Sequence, residues 1–488
     1  MLIGTVLFIV ALTIAFPLYQ AFYTQGYVFY TNGVDEASYL SFPYSQLLLT
    51  WQGVTRYSSW LIIALHTLGL SGGYCNVALD VVCVITFFLA TPRALKRYGF
   101  ANEEASTCAL LIFLLPLLAT PWNPLIAEIK AYLLSSSLFK WVTLAPNDEL
   151  LFLRSPEPQL SWTIIALVLA WTPKARYIPW VLLVLSPFLY SFVRLPLLFV
   201  ILVHILPRAL PPAARFSLAF AGISALIAVF VKCSVSSDLQ RFVVATHVPV
   251  VPLPALGATV LFFIVKKHIP SQWRGILSTL VVSTWIGANT QILSGWMISP
   301  SKYDEYWSVA VLALILSITI VSVSRLKRRW VVAATCIFAL HSAQTFERNN
   351  SILARLDDPK GVIKLLKETP EHVAFDNLLL ATTADLTHPR QEHTLLSFTR
   401  TYDLNSPENL SNYLCAKQNI SAQGNNIAKR FTDAFFHLDW GYQQRGIDDA
   451  ITMRRRPLDA TEFSLSVSPL ECAGPPPIVV TSRQASSN

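Results

Sequence analysis

The sequence predicts a mainly α protein: a polytopic transmembrane helix bundle of about eleven spans over residues 1–345, a small mixed α/β soluble domain over 346–473, and a disordered tail over 474–488. Three observations lead there. The 488 residues are 53% hydrophobic and only 14% charged, against roughly 25% charged in ordinary soluble domains. Charge is also unevenly spread: 15 of the 37 Lys and Arg and 17 of the 29 Asp and Glu follow Trp330, so two regions suited to different solvents join near residue 345. Finally, the basic residues of the first region sit in short clusters between apolar runs. That placement belongs to membrane topology and excludes a nucleic-acid surface as the reason for the formal charge of +8.

Apolar runs of the roughly 17 to 25 residues that a bilayer crossing needs begin near Leu2, Tyr74, Ala105, Ser161, Ser217, Pro254, Gly275, Trp307 and Trp330. The first lacks a basic n-region and a small-residue cleavage pattern, so it reads as a retained span. Residues 175–209 are too many for one upright helix and carry Ser191, Arg194 and Pro196 at their centre; they read as a hairpin of two short spans. With eleven spans and a cytoplasmic N-terminus, the inner loops hold 14 basic residues against two acids, Glu103 and Glu104, while the outer loops hold 8 basic and 9 acidic residues. Counting the hairpin as one span puts the last three basic clusters outside, so the positive-inside rule fixes the parity. The C-terminal region then lies in a periplasm or lumen, as for a protein of a bacterial inner membrane.

The inner loops are short and the outer ones are elaborated, at residues 24–73, 122–160, 233–253 and 288–305. Chemistry is therefore expected on the outer side. No internal repeat of the kind that marks many transporters is seen. Residues 42–70 and 124–144 mix aromatic and aliphatic residues with charged and amide side chains, which suits helices lying in the membrane interface against membrane lipids. They form a ledge at the outer face.

The sharpest local signal is Gly33-Val34-Asp35-Glu36-Ala37-Ser38-Tyr39, just after the first span. Two adjacent carboxylates beside a low-dielectric surface have raised pKa values, and one of them is suited to take a proton from a hydroxyl as a general base. The same residues also fit a solvated helix start with acids in its first turn. A second outer loop carries Asn147-Asp148-Glu149 and then Arg154-Ser155-Pro156-Glu157-Pro158-Gln159. Arg154 suits a bidentate phosphate contact and the acids suit a metal or sugar hydroxyls, or the prolines simply punctuate a solvated loop.

A first span followed by an outer loop bearing Asp35-Glu36, then juxtamembrane segments and many further spans, resembles the GT-C superfamily of glycosyltransferases that use polyprenyl-phosphate sugars. The resemblance covers the arrangement of residues 1–345 and one short motif. It implies a membrane-embedded transferase, inverting by a single displacement, that moves a sugar from a lipid-linked donor to a glycan, lipid or protein acceptor. It further implies that Asp35 is the catalytic base, that Glu36 is its partner and that Asp148 or Glu149 is a second acid near the site. A divalent cation, Mg or Mn, is compatible with these acids without being required.

A departing phosphate needs donors at its oxygens. Arg194, in the predicted hairpin turn among apolar residues, is the leading candidate. Lys232, Arg241 and Lys302 are explained by snorkelling at span ends. Asp80, an acid inside an apolar run, either faces a substrate cavity or pairs with a polar neighbour. The loop 289–305, with Gln291, Trp296, Tyr303, Asp304 and Glu305, has the aromatic and amide mix that suits a sugar ring, and equally the anchoring role of interfacial aromatics. His66, His204, His247 and His268 share no spacing and read as interfacial or structural. Cys83, Cys108 and Cys336 lie in apolar runs, and Cys415 and Cys472 form a disulfide or remain thiols.

The C-terminal region mixes helical stretches such as 361–368 with strand-like runs such as 373–375, and His372, His388 and His393 show no metal-binding spacing. Asn349, Asn409 and Asn419 lie in N-x-Ser sequons. Two other functions fit the outer-face layout: a polysaccharide polymerase or ligase relying on outer-loop arginines, and a lipid-linked glycan transporter or flippase.

Overall fold

A computed structural model describes residues 2–23, 57–70, 72–116, 142–143, 158–207, 209–233, 243–245, 247–269, 271–298, 300–323, 327–354, 372–375, 392–395 and 478–480. Asp35, Glu36, Asp148, Glu149 and Arg154 lie outside these residues, as do residues 124–141 of the second ledge and the stretch 361–368.

The described chain is mainly helical. Helix α1 (Leu2–Tyr23) precedes α2 (Tyr57–Thr67), which falls within the stretch read as interfacial. Next come α3 (Gly72–Arg97), α4 (Asn102–Leu114) and α5 (Gln159–Trp171). The segment 175–209 is divided, as its length requires, into α6 (Ile178–Leu185) and α7 (Ser191–Ile205). The chain continues through α8 (Pro212–Cys233), α9 (Leu253–Val265) and α10 (Ser271–Asn289). Two single turns, α11 (Gln291–Ser294) and α12 (Pro300–Tyr303), lead to α13 (Val309–Val323) and α14 (Lys327–Ala354).

Among the described residues, four helical stretches are long and apolar enough to cross a membrane: Leu2–Ala21, Gly73–Arg97, Pro212–Val229 and Tyr306–Val323. Leu7, Val82, Leu89, Val229 and Leu340, all more than half exposed, point away from the bundle, as side chains against lipid do. Helices α5 and α9 have 13 residues each, about 20 Å of helix, where longer runs were expected. Pro173 explains the end of α5, because the residue before a proline is disfavoured in the helical conformation: the backbone is extended at Thr172.

The break in 175–209 lies earlier than the sequence placed it. The turn is Ser186–Tyr190, built on a 3-10 turn over Ser186–Phe188, and Pro196 sits inside α7. Pro187 occupies the first turn of that 3-10 element, where its missing N–H costs nothing. The Tyr190 N–H is satisfied by the Ser161 hydroxyl of α5 at 2.9 Å, a tertiary contact that no local pattern carries.

The core centres on α3, which packs on α1, α4 and α5, while α4 packs on α13 and α14. Phe87, Phe88 and Phe113 cluster there, with ring centroids 4.9 to 5.7 Å apart. On α4 the small residues Ala105, Cys108 and Ala109 are fully buried, which lets backbones approach closely, as membrane helix contacts favour. Several buried hydroxyls bond within their own helices, as Thr13 does to the Ile9 carbonyl at 2.9 Å and Ser317 to that of Ala313 at 2.6 Å. In a solvent without acceptors such a bond gives the hydroxyl proton a partner. A second cluster joins α7 to α8 through Leu195, Phe199, Val203, Ile223 and Ile227, and includes Tyr303.

Contacts at the two ends of the bundle sort the connections as the charge pattern does. At the basic end, Arg97 before α4 donates to the Leu169 carbonyl in the last turn of α5 at 3.2 Å and to the Pro173 carbonyl just beyond it at 2.7 Å. The Trp273 indole donates to the Tyr98 carbonyl at 3.1 Å, and Arg328 pairs with Glu103 at 3.0 Å. Connections from four predicted inner loops thus meet at one end. At the opposite end, three predicted outer loops meet in small sheets. β1 (Val142–Thr143) pairs in parallel with β3 (Val251–Pro252), and β2 (Val243–Ala245) pairs antiparallel with β4 (Trp296–Ile298).

Both partners of the Arg328–Glu103 pair are about three-quarters exposed, at 78% and 74%. We therefore expect a double-mutant cycle with Glu103→Gln and Arg328→Gln to give a coupling below about 1 kcal/mol in denaturant unfolding. A coupling of several kcal/mol would show that this end is far drier than its exposure implies.

Helix α14 runs unbroken past residue 345 to Ala354, so the change in composition there is not a break in structure. Beyond it, β5 (His372–Phe375) is the middle strand of a parallel three-stranded sheet between β6 (Glu392–Leu395) and β7 (Ile478–Val480). Strand β7 falls within the stretch read as a disordered tail. Its Ile-Val-Val run is rich in the β-branched residues that suit a strand, but the Pro/Ser composition around it masked that signal.

Candidate functional site

The elaborated end of the bundle holds the described candidates, and the structure brings some of them together. Arg194 lies in the first turn of α7, half-buried. Its guanidinium donates to the Pro187 carbonyl at 3.1 Å, so it clasps the turn that precedes its own helix. The neighbouring Phe192 meets Tyr303 edge-on, with centroids 5.2 Å apart. Tyr190 meets Tyr306 in the same way at 5.4 Å, and the Lys302 ammonium lies 3.2 Å from the Tyr306 hydroxyl and 5.2 Å above its ring.

Tyr303 is 2% exposed. Burial pushes its phenol well above its usual pKa, with the Arg194 guanidinium acting in the opposite direction, so it stays neutral and keeps its proton. The ring fits because residue 287 is glycine. A Cβ there would stand 2.9 Å from Tyr303 Cδ1 and 3.0 Å from Pro196 Cγ, closer than packed atoms come. Gly287→Ala is expected to destabilise the protein by roughly 1 to 3 kcal/mol, the usual cost of overpacking, read as a lower unfolding midpoint in detergent. An unchanged midpoint would mean that Tyr303 swings aside freely.

Between Tyr303 and α13 the chain takes a π turn over Asp304–Ser308. The wider turn accompanies the burial of Tyr303, Tyr306 and Trp307, at 2%, 1% and 2% exposure. Trp307 stacks on Trp162 of α5, with centroids 5.2 Å apart, and its indole N–H donates to the Ser283 hydroxyl at 2.8 Å. Such π turns often occur at functional sites.

The stretch 289–305 is therefore not an open loop. Gln291 is wholly buried; its Nε2 donates to the Val248 carbonyl at 3.0 Å. Asn289 beside it grips Val250 from both sides, accepting from its N–H at 2.8 Å and donating to its carbonyl at 2.9 Å. Gly295 ends α11 with φ 76°, a conformation that suits glycine, and its bare Cα leaves room for the His247 ring, whose Cε1 a Cβ there would approach to 3.2 Å. Gln291 and Tyr303 thus form the packed floor of this end, not a surface open to a sugar. The cause is tertiary: β2 and the Val248–Val250 backbone supply the partners that a solvated loop would find in water.

Asp80 is 4% exposed on α3, about two turns from its start. Its carboxylate accepts from Gln159 Nε2 at 3.0 Å. Of the two expectations for this acid, pairing with a polar neighbour is the one observed. Contacts then run across the whole end. Tyr74 and Val77 pack beside Ala21 in the last turns of α1, together with Phe346; Asp80 reaches Gln159, Ser161 reaches Tyr190, and Tyr190 reaches Tyr306. In the sequence Gln159 closes the Pro-bracketed polar motif and Ser161 opens an apolar run, with nothing to pair them with Asp80 and Tyr190. Their signal was polar side chains at the head of an apolar run.

Among the described residues, no three His, Cys, Asp or Glu side chains are grouped to hold a metal ion. The acids considered for a divalent cation, Asp35, Glu36, Asp148 and Glu149, lie outside those residues. No protein-family model, curated protein or solved structure matches this chain.

Proposed function

We propose that the chain is an inverting, GT-C-like glycosyltransferase with eleven spans that moves a sugar from a polyprenyl-phosphate donor to an acceptor hydroxyl on the outer face of the membrane. One observation carries the reading: Asp35-Glu36 follows the first span by a dozen residues, and that span's last turns pack at the end of the bundle where Arg194, Lys302 and the buried tyrosines gather. In this mechanism the Asp35 carboxylate takes the proton of the acceptor hydroxyl as its oxygen attacks C1 of the sugar. The bond from C1 to the phosphate oxygen breaks, and polyprenyl phosphate leaves with one more negative charge than the donor carried. Glu36 and an acid of the second outer loop orient the sugar, while Arg194 or Arg154 receives the developing charge through N–H donors.

The experiment is a panel of radiolabelled polyprenyl-phosphate sugars supplied to membranes carrying the wild-type protein. At least one donor is expected to be consumed with label appearing in a covalent product. Label that crosses the membrane unconverted would make the protein a transporter, and inertness toward every monophosphate donor would overturn the proposed donor class. On the same reading, Arg194→Ala lowers kcat by roughly tenfold to a hundredfold, the loss of one oxyanion donor or slightly less, and Arg194→Lys recovers part of it. Equal rates in all three proteins would leave Arg194 as a turn clasp alone.

A further inference from the structure

A groove of about 510 Å³ opens on the lipid-facing side of the basic end, lined among others by Pro173, Tyr177, Trp180, Val184 and Leu185, with no polar surface in its lining. It starts at the Thr172–Tyr177 turn and follows α6 toward the membrane middle for about 12 Å, eight residues of helical rise. Trp180 and Val184 are 53% and 70% exposed there.

The mouth is basic. Arg93 stands 5.1 Å over the Trp171 ring, and Arg176 lies 4.8 Å over the Tyr177 ring with an N–H donated to its hydroxyl at 2.8 Å. Lys174 lies between them in sequence, and Arg97 binds the Pro173 carbonyl. Among the described residues none of these four cations is paired with a carboxylate; the nearby Glu103 is taken by Arg328. Aromatic rings therefore hold cations unpaired with carboxylates beside an open apolar groove.

We propose that this groove binds an anionic glycerophospholipid of the leaflet on the basic side, one acyl chain lying along α6 and the phosphate facing Arg93, Lys174 and Arg176. Apolar walls explain a chain of any lipid, while the cation cluster explains preference for a negative headgroup. The site is at the opposite end from the proposed transfer chemistry and does not depend on it.

The test uses the full-length protein in vesicles of mixed phosphatidylglycerol and phosphatidylcholine, each in turn carrying a trace of the same lipid with a photoreactive diazirine on its acyl chain. Labelling of the 171–185 segment is expected to be roughly tenfold greater from phosphatidylglycerol. The triple change Arg93→Gln, Lys174→Gln, Arg176→Gln should bring the two lipids to near equality, while labelling of the exposed face of α14 stays constant. Val184→Trp, which fills the slot and keeps every cation, should reduce labelling from both lipids. Equal labelling of the wild type by the two lipids, an undiminished preference in the triple variant, or stronger labelling by a diazirine polyprenyl phosphate would each overturn the proposal.

Discussion

Asp35→Asn is expected to lower sugar transfer by roughly 10² to 10⁴, the usual contribution of a positioned general base, with the protein still inserted and KM for the donor little changed. The asymmetry follows from the chemistry. An amide retains the size and much of the hydrogen bonding of the carboxylate, so donor binding survives, but it cannot accept the acceptor's proton as the C1–O bond forms. Because that proton moves only in the transition state, the loss falls on kcat. The rate of the variant should also lose the acid limb of its pH profile, since the group whose ionisation defines that limb is gone. A polymerase or ligase working through outer-loop arginines would behave in the opposite manner, tolerating Asp35→Asn and failing on loss of Arg154 or Arg194.

Trp307→Ala is expected to cost roughly 3 to 5 kcal/mol of stability, the range for removing a large aromatic from a packed core. Three contributions disappear together: the stack on Trp162, the burial of the whole indole, and the hydrogen bond from the indole N–H to the Ser283 hydroxyl, which itself donates to the Leu280 carbonyl. Trp307→Phe keeps a ring for the stack but leaves Ser283 without that donor, so it should lie between the wild type and the alanine variant. Reversible unfolding in bicelles would measure both. A loss under about 1 kcal/mol for the alanine variant would mean that this end of α13 is loosely packed and that the π turn has no role in seating it.

The helices were legible because a bilayer-crossing segment announces itself through a long apolar run, and the observed α3, α8, α10 and α14 all begin within five residues of the expected starts. Which connections share an end was legible in the clustering of basic residues such as Arg97 and Arg328, but which of them touch was not. What stayed hidden depends on partners distant in sequence. Nothing near Tyr190 indicates that its N–H will be met by Ser161, so the sequence points to a break around Ser191–Pro196 where the structure has it at Ser186–Tyr190. Gln291 reads as a loop amide until the Val248 carbonyl is placed beside it, and Ile478–Val480 reads as tail until β5 is beside it. Arg194 was singled out as a guanidinium among apolar residues, and that environment is real; its contact with the Pro187 carbonyl and its nearness to Tyr303 required the fold.

The most direct test of the account is transfer in sided proteoliposomes, with the protein inserted in one known orientation, a radiolabelled polyprenyl-phosphate sugar in the membrane and a membrane-impermeant acceptor on one side only. The account predicts covalent product when the acceptor is on the side of the Asn289–Tyr303 end, and little when it is on the side of the Arg97–Arg328 end. Product formed from the basic side, or label crossing the bilayer with no product on either side, would contradict it.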